Sequence, residues 1–220
     1  MRQLQNEEII KITTDYVKFE LYGSEGGHDW WHIYRVWKIS KKIASQENVD
    51  LFVVELAALL HDIADSKFNN GDESIGPKKV FQFLSSLSVD QETIDHVVMI
   101  IKNISFKGGN EKQTFTSPEL NVVQDADRLD AIGAIGVART FNYGGFKKRK
   151  LYNPDIHPNS HMSKEEYKTS TAPTINHFHE KLLLLKDRMN TTAGRAIAEQ
   201  RHQFLELYLK QFYAEWEGEL

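Results

Sequence analysis

Residues 51–63 read LFVVELAALLHDI, and this stretch decides what kind of fold the chain can adopt. Asp50 stands before it and can cap a helix, because its side chain can accept hydrogen bonds from the first backbone N–H groups. The stretch is apolar on nearly every face of that helix, apart from Glu55, which is typical of a helix in the middle of a core. We therefore predict a buried central helix that ends in the ionisable pair His61-Asp62.

The same helical spacing of apolar residues recurs on both sides of this stretch. It predicts helices over about 4–19, 30–46, 75–84, 90–104, 118–139, 175–189 and 193–212. Asp29 and Asp90 are candidate N-caps, and Pro77 and Pro118 fit the first turns of their helices. No segment alternates with the period of a β-strand, so the predicted fold class is all-α.

Residues 141–173 are the exception, since they contain the adjacent glycines 144 and 145, three prolines and no helical repeat. Loops of this length inside a compact domain are usually functional or disordered. The sequence therefore predicts a long loop insertion before the C-terminal helices at about 174–217.

Composition limits the classes of function. A chain of 220 residues suits a single domain, and a net charge of −4 provides no overall positive field for a polynucleotide. The chain has no cysteine, so a metal would have to be bound by histidines and carboxylates. The polar N-terminus lacks a signal-peptide pattern, and no apolar run is long enough to span a membrane. We expect a cytoplasmic protein, monomeric or homodimeric.

The pair His61-Asp62 allows two interpretations. A histidine at a helix C-terminus interacts well with the helix dipole, although an aspartate does not. Alternatively, the two side chains share a target beyond the end of the helix, and a cation bound with ligands from neighbouring helices would satisfy both.

Two further segments carry ionisable residues among apolar ones. His32 lies next to the apolar face of its helix, where a hydrogen-bonded core histidine is more common than a ligand. Residues 125–130 read DADRLD, and Asp127 and Asp130 share a helix face. Buried aspartates need cations, which Arg128 or a metal could supply.

Taken together, these segments resemble the H…HD…D pattern of the HD superfamily of metal-dependent phosphohydrolases. His32, His61-Asp62 and Asp127 fit it in order and context. The chain also resembles the small stand-alone bacterial members that act on nucleotides. The matching stretches are HDWWH at 28–32, DADRLDA at 125–131 and HFHEKL at 177–182. The resemblance implies one compact helical domain with a core at about 25–140.

The resemblance also implies a site. His32, His61, Asp62 and Asp127 would hold one divalent metal ion, with Mn²⁺ or Mg²⁺ favoured over Fe²⁺, Co²⁺ and Ni²⁺. Asp65 would orient or deprotonate the attacking water, although a solvated acid after a helix is an equally good interpretation. Relatives with two metals place histidines where this chain has Ile104, so a single metal is expected.

Substrate contacts are predicted from charge. The candidates are Lys67, Arg128, Lys147, Lys148, His177 and Lys181. The basic run 147–150 could form a lid over phosphates, with the adjacent glycines as a hinge, or it could be an ordinary solvated segment.

The predicted function is hydrolysis of a small nucleotide by water that the metal activates. Nucleoside triphosphate pyrophosphohydrolase activity is the first interpretation. The alternatives are a 5′-nucleotidase that acts on monophosphates and a non-catalytic HD module that binds a nucleotide. Turnover of a nucleotide panel with Mn²⁺, against a chelator control, distinguishes an enzyme from a binding module.

Overall fold

The computed structural model describes residues 4–23, 29–63, 74–104, 115–159, 162, 166 and 169–220. Throughout these ranges the regular structure is helical, and they contain no β-strand. The helices are α1 (Asn6–Glu20), α2 (Trp30–Ala44), α3 (Leu51–Leu60), α4 (Ile75–Ser86), α5 (Gln91–Ile104), α6 (Pro118–Asp130), α7 (Gly133–Phe146), α8 (Asn176–Glu180) and α9 (Thr192–Trp216). The predicted all-α class is confirmed.

The chain divides into two compact units, residues 1–126 and 127–220. The division falls inside α6, which is a continuous helix, rather than in a linker. Our expectation of a single domain over 1–220 stays a prediction.

Helix α3 is the centre of the first unit. It packs against α1, α2 and α5, and all its residues from Leu56 to Leu60 are buried. The one acid of the helix, Glu55, is paired: its carboxylate accepts a hydrogen bond from Trp37 Nε1 at 2.9 Å and lies 2.8 Å from Lys41 Nζ. The apolar stretch that predicted a central helix therefore forms one, and α2 supplies the partners for its only charge.

The start of α3 is fixed by two carboxylates. Asp50 Oδ1 accepts hydrogen bonds from the backbone N–H groups of Phe52 and Val53, as the predicted N-cap should. The backbone N–H of Asp50 in turn donates to Glu119 Oε1 of α6 at 2.9 Å. This bond ties the start of the central helix to α6, the helix that carries the DADRLD segment.

The helix predicted over 118–139 is wrong in one respect, because the chain breaks it into α6 and α7 at residues 131–132. Gly133 adopts a positive φ of +77°, which favours glycine. A Cβ on Gly136 would lie 2.3 Å from the carbonyl oxygen of Ala131, so the chain passes too close there for a side chain. The apolar spacing continues across the break, which is why periodicity alone did not reveal it.

The segment predicted as a loop from residue 141 begins later than expected, since α7 extends to Phe146. Gly144 lies inside this helix, and a Cβ there would meet Thr174 Oγ1 at 2.3 Å. The backbone N–H groups of Thr174 and Ile175 donate to the carbonyls of Lys150 and Leu151. The described part of the segment is therefore bonded to the chain that follows it, and Gly144 serves close packing.

The single helix predicted over 175–189 is also wrong. The short helix α8 is followed by two 3₁₀ turns, Leu182–Leu184 and Lys186–Arg188. Lys181 lies between α8 and the first of these turns, and its backbone angles, φ −141° and ψ −53°, are outside the helical region. The apolar residues Phe178, Leu182, Leu185 and Met189 are nevertheless buried as predicted.

The last predicted helix is confirmed as α9, which packs against α7 in the second unit. Tyr152 contacts three aromatic rings of α9, those of Phe212, Tyr213 and Trp216, at centroid distances of 5.1–6.0 Å. Phe81 and Ile135 follow the apolar spacing of their helices, but their side chains are 42% and 44% exposed. In the part of the chain that the structure describes, no helix is long and apolar enough to cross a membrane.

Candidate metal centre

His61 ends the central helix as its C-cap residue, with φ −61° and ψ −27°. Its Nδ1 lies 2.9 Å from the carbonyl oxygen of Ala58, one turn earlier in the same helix. A carbonyl oxygen can only accept, so Nδ1 carries the proton and donates it. In the neutral tautomer that this bond selects, Nε2 is the nitrogen with the free lone pair.

That Nε2 atom is buried and has no hydrogen-bond partner among the described residues. A buried polar atom without a partner costs about 1–3 kcal/mol, so such atoms in folded proteins usually have a function or an additional partner. An imidazole whose Nδ1–H is held by a carbonyl and whose Nε2 is open is the usual arrangement of a metal-ligating histidine. The geometry of His61 therefore fits a metal ion.

His32 lies on α2, and its side chain is close to that of His61. Asp29 caps this helix by accepting a hydrogen bond from the backbone N–H of His32 at 2.9 Å, which fixes the first turn. The His32 side chain is only 2% exposed, and its ring lies 5.3 Å from the His61 ring between centroids. Two imidazoles from two packed helices thus lie edge to face at the end of α3, with their planes 70° apart.

Asp127 is the third member of this group. It lies on α6. His32, His61 and Asp127 each offer one ligand atom, and these atoms lie within 4.8 Å of one another. One cation with ligand distances of about 2.0–2.4 Å could contact all three. Two neutral imidazoles and one carboxylate suit a divalent ion of intermediate or hard character.

Asp62, the fourth predicted ligand, lies beside this group but is not a member of it. Its Oδ2 is 3.9 Å from His32 Nε2, and its side chain is 14% exposed. That distance is longer than a hydrogen bond between these two atoms would be. The structure thus brings Asp62 close to His32, and its role as a ligand stays a prediction.

Two predicted site residues, Asp65 and Lys67, lie outside the described residues. The basis for Asp65 as the residue acting on water and for Lys67 as a phosphate contact therefore remains the sequence.

The other acids of the DADRLD segment have separate environments. Asp130 is 1% exposed, and Arg139 of α7 binds both its carboxylate, at 2.7 Å, and its backbone carbonyl. The cation that this aspartate needs is therefore an arginine nine residues later, which the sequence analysis missed. Arg128 donates to the backbone carbonyl of Arg188. Its predicted contact with phosphate is not tested by that bond.

The remaining substrate candidates lie in the second unit. Lys147 and Lys148 are exposed at the end of α7, and Lys148 adopts a positive φ of +55°. Burial, together with the nearby cations of Lys181 and Arg149, lowers the pKa of the His177 imidazole from 6.5 to about 3. His177 is therefore neutral near pH 7, and the positive charge around it comes from the lysine and the arginine.

Ala58 is the residue of the site that sequence reasoning did not identify. Its side chain is ordinary, and its contribution is a backbone carbonyl that sets the tautomer of His61. The only available signal was its position three residues before a histidine at a helix end. That signal has no meaning until the rotamer of the histidine is known.

Comparisons with known proteins show the family of the chain. The model of the HD domain family matches residues 30–132, which include His32, His61, Asp62 and Asp127. Bacillus subtilis YpgQ is 37% identical over 212 residues, which cover 96% of this chain and 94% of YpgQ. A structure of YpgQ in complex with ADP has a TM-score of 0.76 and covers 96% of this chain and 97% of its own.

Two further solved structures are similar over almost their full length. An HD-superfamily hydrolase from Bacillus thuringiensis is 44% identical, with a TM-score of 0.78, and covers 97% of this chain and 99% of its own. A Lactobacillus plantarum protein is 33% identical, with a TM-score of 0.83. The match covers 98% of this chain and 100% of the Lactobacillus plantarum chain. Likeness of this extent, together with the match to the family model at the H…HD…D residues, identifies the chain as a member of the HD-domain superfamily of hydrolases.

Proposed function

We propose that this protein is a metal-dependent phosphohydrolase of small nucleotides, with nucleoside triphosphate pyrophosphohydrolase activity as its reaction. The observation that carries the proposal is His61, whose Nδ1 donates to the Ala58 carbonyl and whose Nε2 is buried without a partner among the described residues. This nitrogen lies in a group with His32 and Asp127 that a single cation could join.

Each residue has a proposed role. His32, His61 and Asp127 hold one divalent cation, and Asp62 completes the ligand set from its position beside His32. When bound, such a cation lowers the pKa of a water molecule and withdraws charge from a phosphoryl group. The Ala58 carbonyl keeps His61 in the ligating tautomer, and Asp29 fixes the helical turn that carries His32. Asp65 orients the attacking water or accepts its proton.

The metal is proposed to be Mn²⁺ or Mg²⁺. Carboxylate and imidazole ligands together suit several first-row dications, and the chain offers no thiolate that would favour a soft metal. The single-metal assignment rests on Ile104, a buried apolar residue where a second site would need a ligand.

The nucleotide assignment is supported by a relative. A structure of Bacillus subtilis YpgQ contains ADP, and we extend nucleotide binding from that protein to this one. Arg128, Lys147, Lys148, His177 and Lys181 are the proposed substrate contacts within the described residues, and Lys67 is proposed from the sequence alone.

The test is turnover of a nucleotide panel by the full chain. Nucleoside mono-, di- and triphosphates are incubated with Mn²⁺, with Mg²⁺ or with a chelator, and pyrophosphate and orthophosphate are measured separately. The proposal expects metal-dependent release of pyrophosphate from triphosphates. Orthophosphate released from monophosphates alone would support the 5′-nucleotidase alternative instead.

A non-catalytic module makes a different prediction, because it would bind a nucleotide without turning it over. The Asp65→Asn variant separates the two when its metal content is measured alongside its rate. Loss of a general base typically slows turnover by about 10²–10⁴ while the metal ligands stay intact. A wild-type protein that binds nucleotide and metal but shows no turnover with either ion would contradict the hydrolase proposal.

A further inference from the structure

The second unit contains a cleft of about 470 Å³ at the end of α7. Four of its ten lining residues are cationic, namely residues 147–150, and none of the ten is acidic. Hydroxyl side chains of residues 169–171 line the cleft as well. None of the lining residues belongs to the metal-ligand group.

No carboxylate within the described part of the chain neutralises the lysines of this cleft. Elsewhere, Lys41, Lys79 and Lys186 each lie within 4.0 Å of a glutamate carboxylate. Among the described residues, no carboxylate pairs in this way with Lys147, Lys148 or Lys150. Like charges that converge without a counter-charge repel one another, and an anion that bound among them would relieve the repulsion.

The walls of the cleft are held in place. Arg149 Nη2 donates to the carbonyl oxygen of Ser170 at 2.7 Å, so the two sides of the cleft are joined by a hydrogen bond. The backbone N–H of Thr174 donates to the Lys150 carbonyl, just beyond the cationic run. Gly144 packs against Thr174, which fixes the end of α7 from which the run begins. The cations thus project from a bonded framework.

Several donors remain available to a ligand. The guanidinium of Arg149 has five N–H groups, of which one is used by Ser170. The Ser170 hydroxyl accepts a hydrogen bond from Ala172 N–H at 3.2 Å, and its own proton can still be donated. Tyr143 forms an aromatic wall, with Lys147 Nζ 5.8 Å and Arg149 Cζ 5.9 Å from its ring centroid.

We propose that this cleft is a binding site for a polyphosphate group and that it binds this group without a metal ion. Because Lys147 and Lys148 are also proposed substrate contacts, the inference rests on the proposed function for its link to a nucleotide substrate. Phosphate oxygens carry the charge that the cleft lacks, and lysine, arginine and hydroxyl donors are their usual partners. A volume of about 470 Å³ suits a ligand of the size of pyrophosphate, tripolyphosphate or a nucleotide. The free anion and the polyphosphate chain of a nucleotide share this chemistry.

Calorimetric titration of the full chain in excess chelator tests the proposal, because the chelator separates this site from any metal-dependent binding. Pyrophosphate, tripolyphosphate, ADP and adenosine are the four probes. The test variant is the triple substitution Lys147→Gln, Lys148→Gln, Lys150→Gln. The matched control is Lys38→Gln, Lys102→Gln, Lys210→Gln, which removes the same charge from three exposed lysines on separate helices.

We expect the wild type and the control variant to bind both inorganic polyphosphates and ADP. The test variant should bind them at least about tenfold more weakly, and adenosine should not bind to any of the proteins. The proposal is overturned if no polyphosphate binds in chelator, or if the two triple variants weaken binding equally, since that means general charge attraction. The proposal is also overturned if ADP and adenosine bind but pyrophosphate does not, because the protein would then recognise the base. None of these outcomes depends on whether the protein hydrolyses nucleotides.

Discussion

At the scale of single residues, the candidate metal centre depends on the side-chain conformation of His61, because the bond from Nδ1 to Ala58 leaves Nε2 as the nitrogen open to a metal. The pair His61-Asp62 at the end of an apolar helix indicated a metal ligand, because two ionisable groups there need a common partner. The nitrogen that would bind the metal could not be predicted. That choice depends on a bond from Nδ1 to Ala58, and hence on a rotamer that a sequence does not specify.

The His61→Ala variant should lose its metal, because it removes the buried Nε2 that lies within reach of His32 and Asp127. Elemental analysis after dialysis measures the bound metal directly. The exposed His157→Asn variant is the control and should keep it. Undiminished metal content in His61→Ala would contradict the assignment of this residue.

His177 gives a prediction about pH. Its pKa is about 3 in the folded protein, and 6.5 is the ordinary value that we assign to the unfolded chain. Between these values the unfolded chain binds a proton that the folded chain does not, so the free energy of unfolding rises with pH in this window. The contribution of His177 to the free energy of unfolding is complete above about pH 6.5 and is lost as the pH falls towards 3. At pH 5 the loss amounts to about 2 kcal/mol.

Urea unfolding at pH 7.5 and pH 5 measures this effect. The His177→Gln variant should lose less stability than the wild type between the two pH values, and His157→Gln should behave like the wild type. An identical pH dependence in the wild type and His177→Gln would mean that the histidine is accessible to protons in the folded protein.

At the scale of elements, local signals predicted most helices. The helices α1 to α5 follow their apolar spacing, and the caps at Asp29, Asp50 and Asp90 are where the sequence placed them. The two predicted helices that are wrong both lie in the second half of the chain. The break before Gly133 and the 3₁₀ turns after Lys181 occur inside unbroken apolar patterns. Packing against other segments of the same chain must therefore override the local preference for a continuous helix there.

The adjacent glycines of α7 provide a matched pair of substitutions. A Cβ on Gly144 would lie 2.3 Å from Thr174 Oγ1 and 3.0 Å from Thr174 Cγ2, whereas a Cβ on Gly145 meets nothing within 4 Å. Gly144→Ala should therefore destabilise the protein by about 1–3 kcal/mol. Gly145→Ala should stabilise it by about 0.5–1 kcal/mol, because alanine favours a helix.

Thermal unfolding of the two variants measures the difference. Replacing the side chain that causes the clash should restore part of the loss, so the Gly144→Ala, Thr174→Ala double variant should be more stable than Gly144→Ala alone. Equal stability of the two single variants would show that Gly144 acts as a hinge or is incidental rather than being required by packing.

At the scale of the whole molecule, the metal should stabilise the folded state, because the unfolded chain does not hold its ligands together. Free metal at 100 times its dissociation constant adds about 2.7 kcal/mol to the free energy of unfolding. For a chain of this size, that corresponds to a rise of about 5–10 °C in Tm. Tm is measured with Mn²⁺ and with chelator. His61→Ala should show no such rise.

The stoichiometry is part of the same prediction. About one metal per chain is expected, since Ile104 occupies the position where a second site would need a histidine. Two tightly held metals per chain would contradict this. A rise in Tm that persists in His61→Ala would place the binding elsewhere in the molecule.

The bond between His61 and Ala58 has one more consequence, which concerns how the sequence can change over evolution. The last carbonyls of a helix lack donors within the helix, and the His61 imidazole supplies one to Ala58. The same side chain thus finishes the central helix and presents a nitrogen to the metal. A descendant that no longer needed the metal would still need a donor at this helix end. We therefore expect homologues that have lost the activity to retain this histidine, even where Asp127 has been substituted.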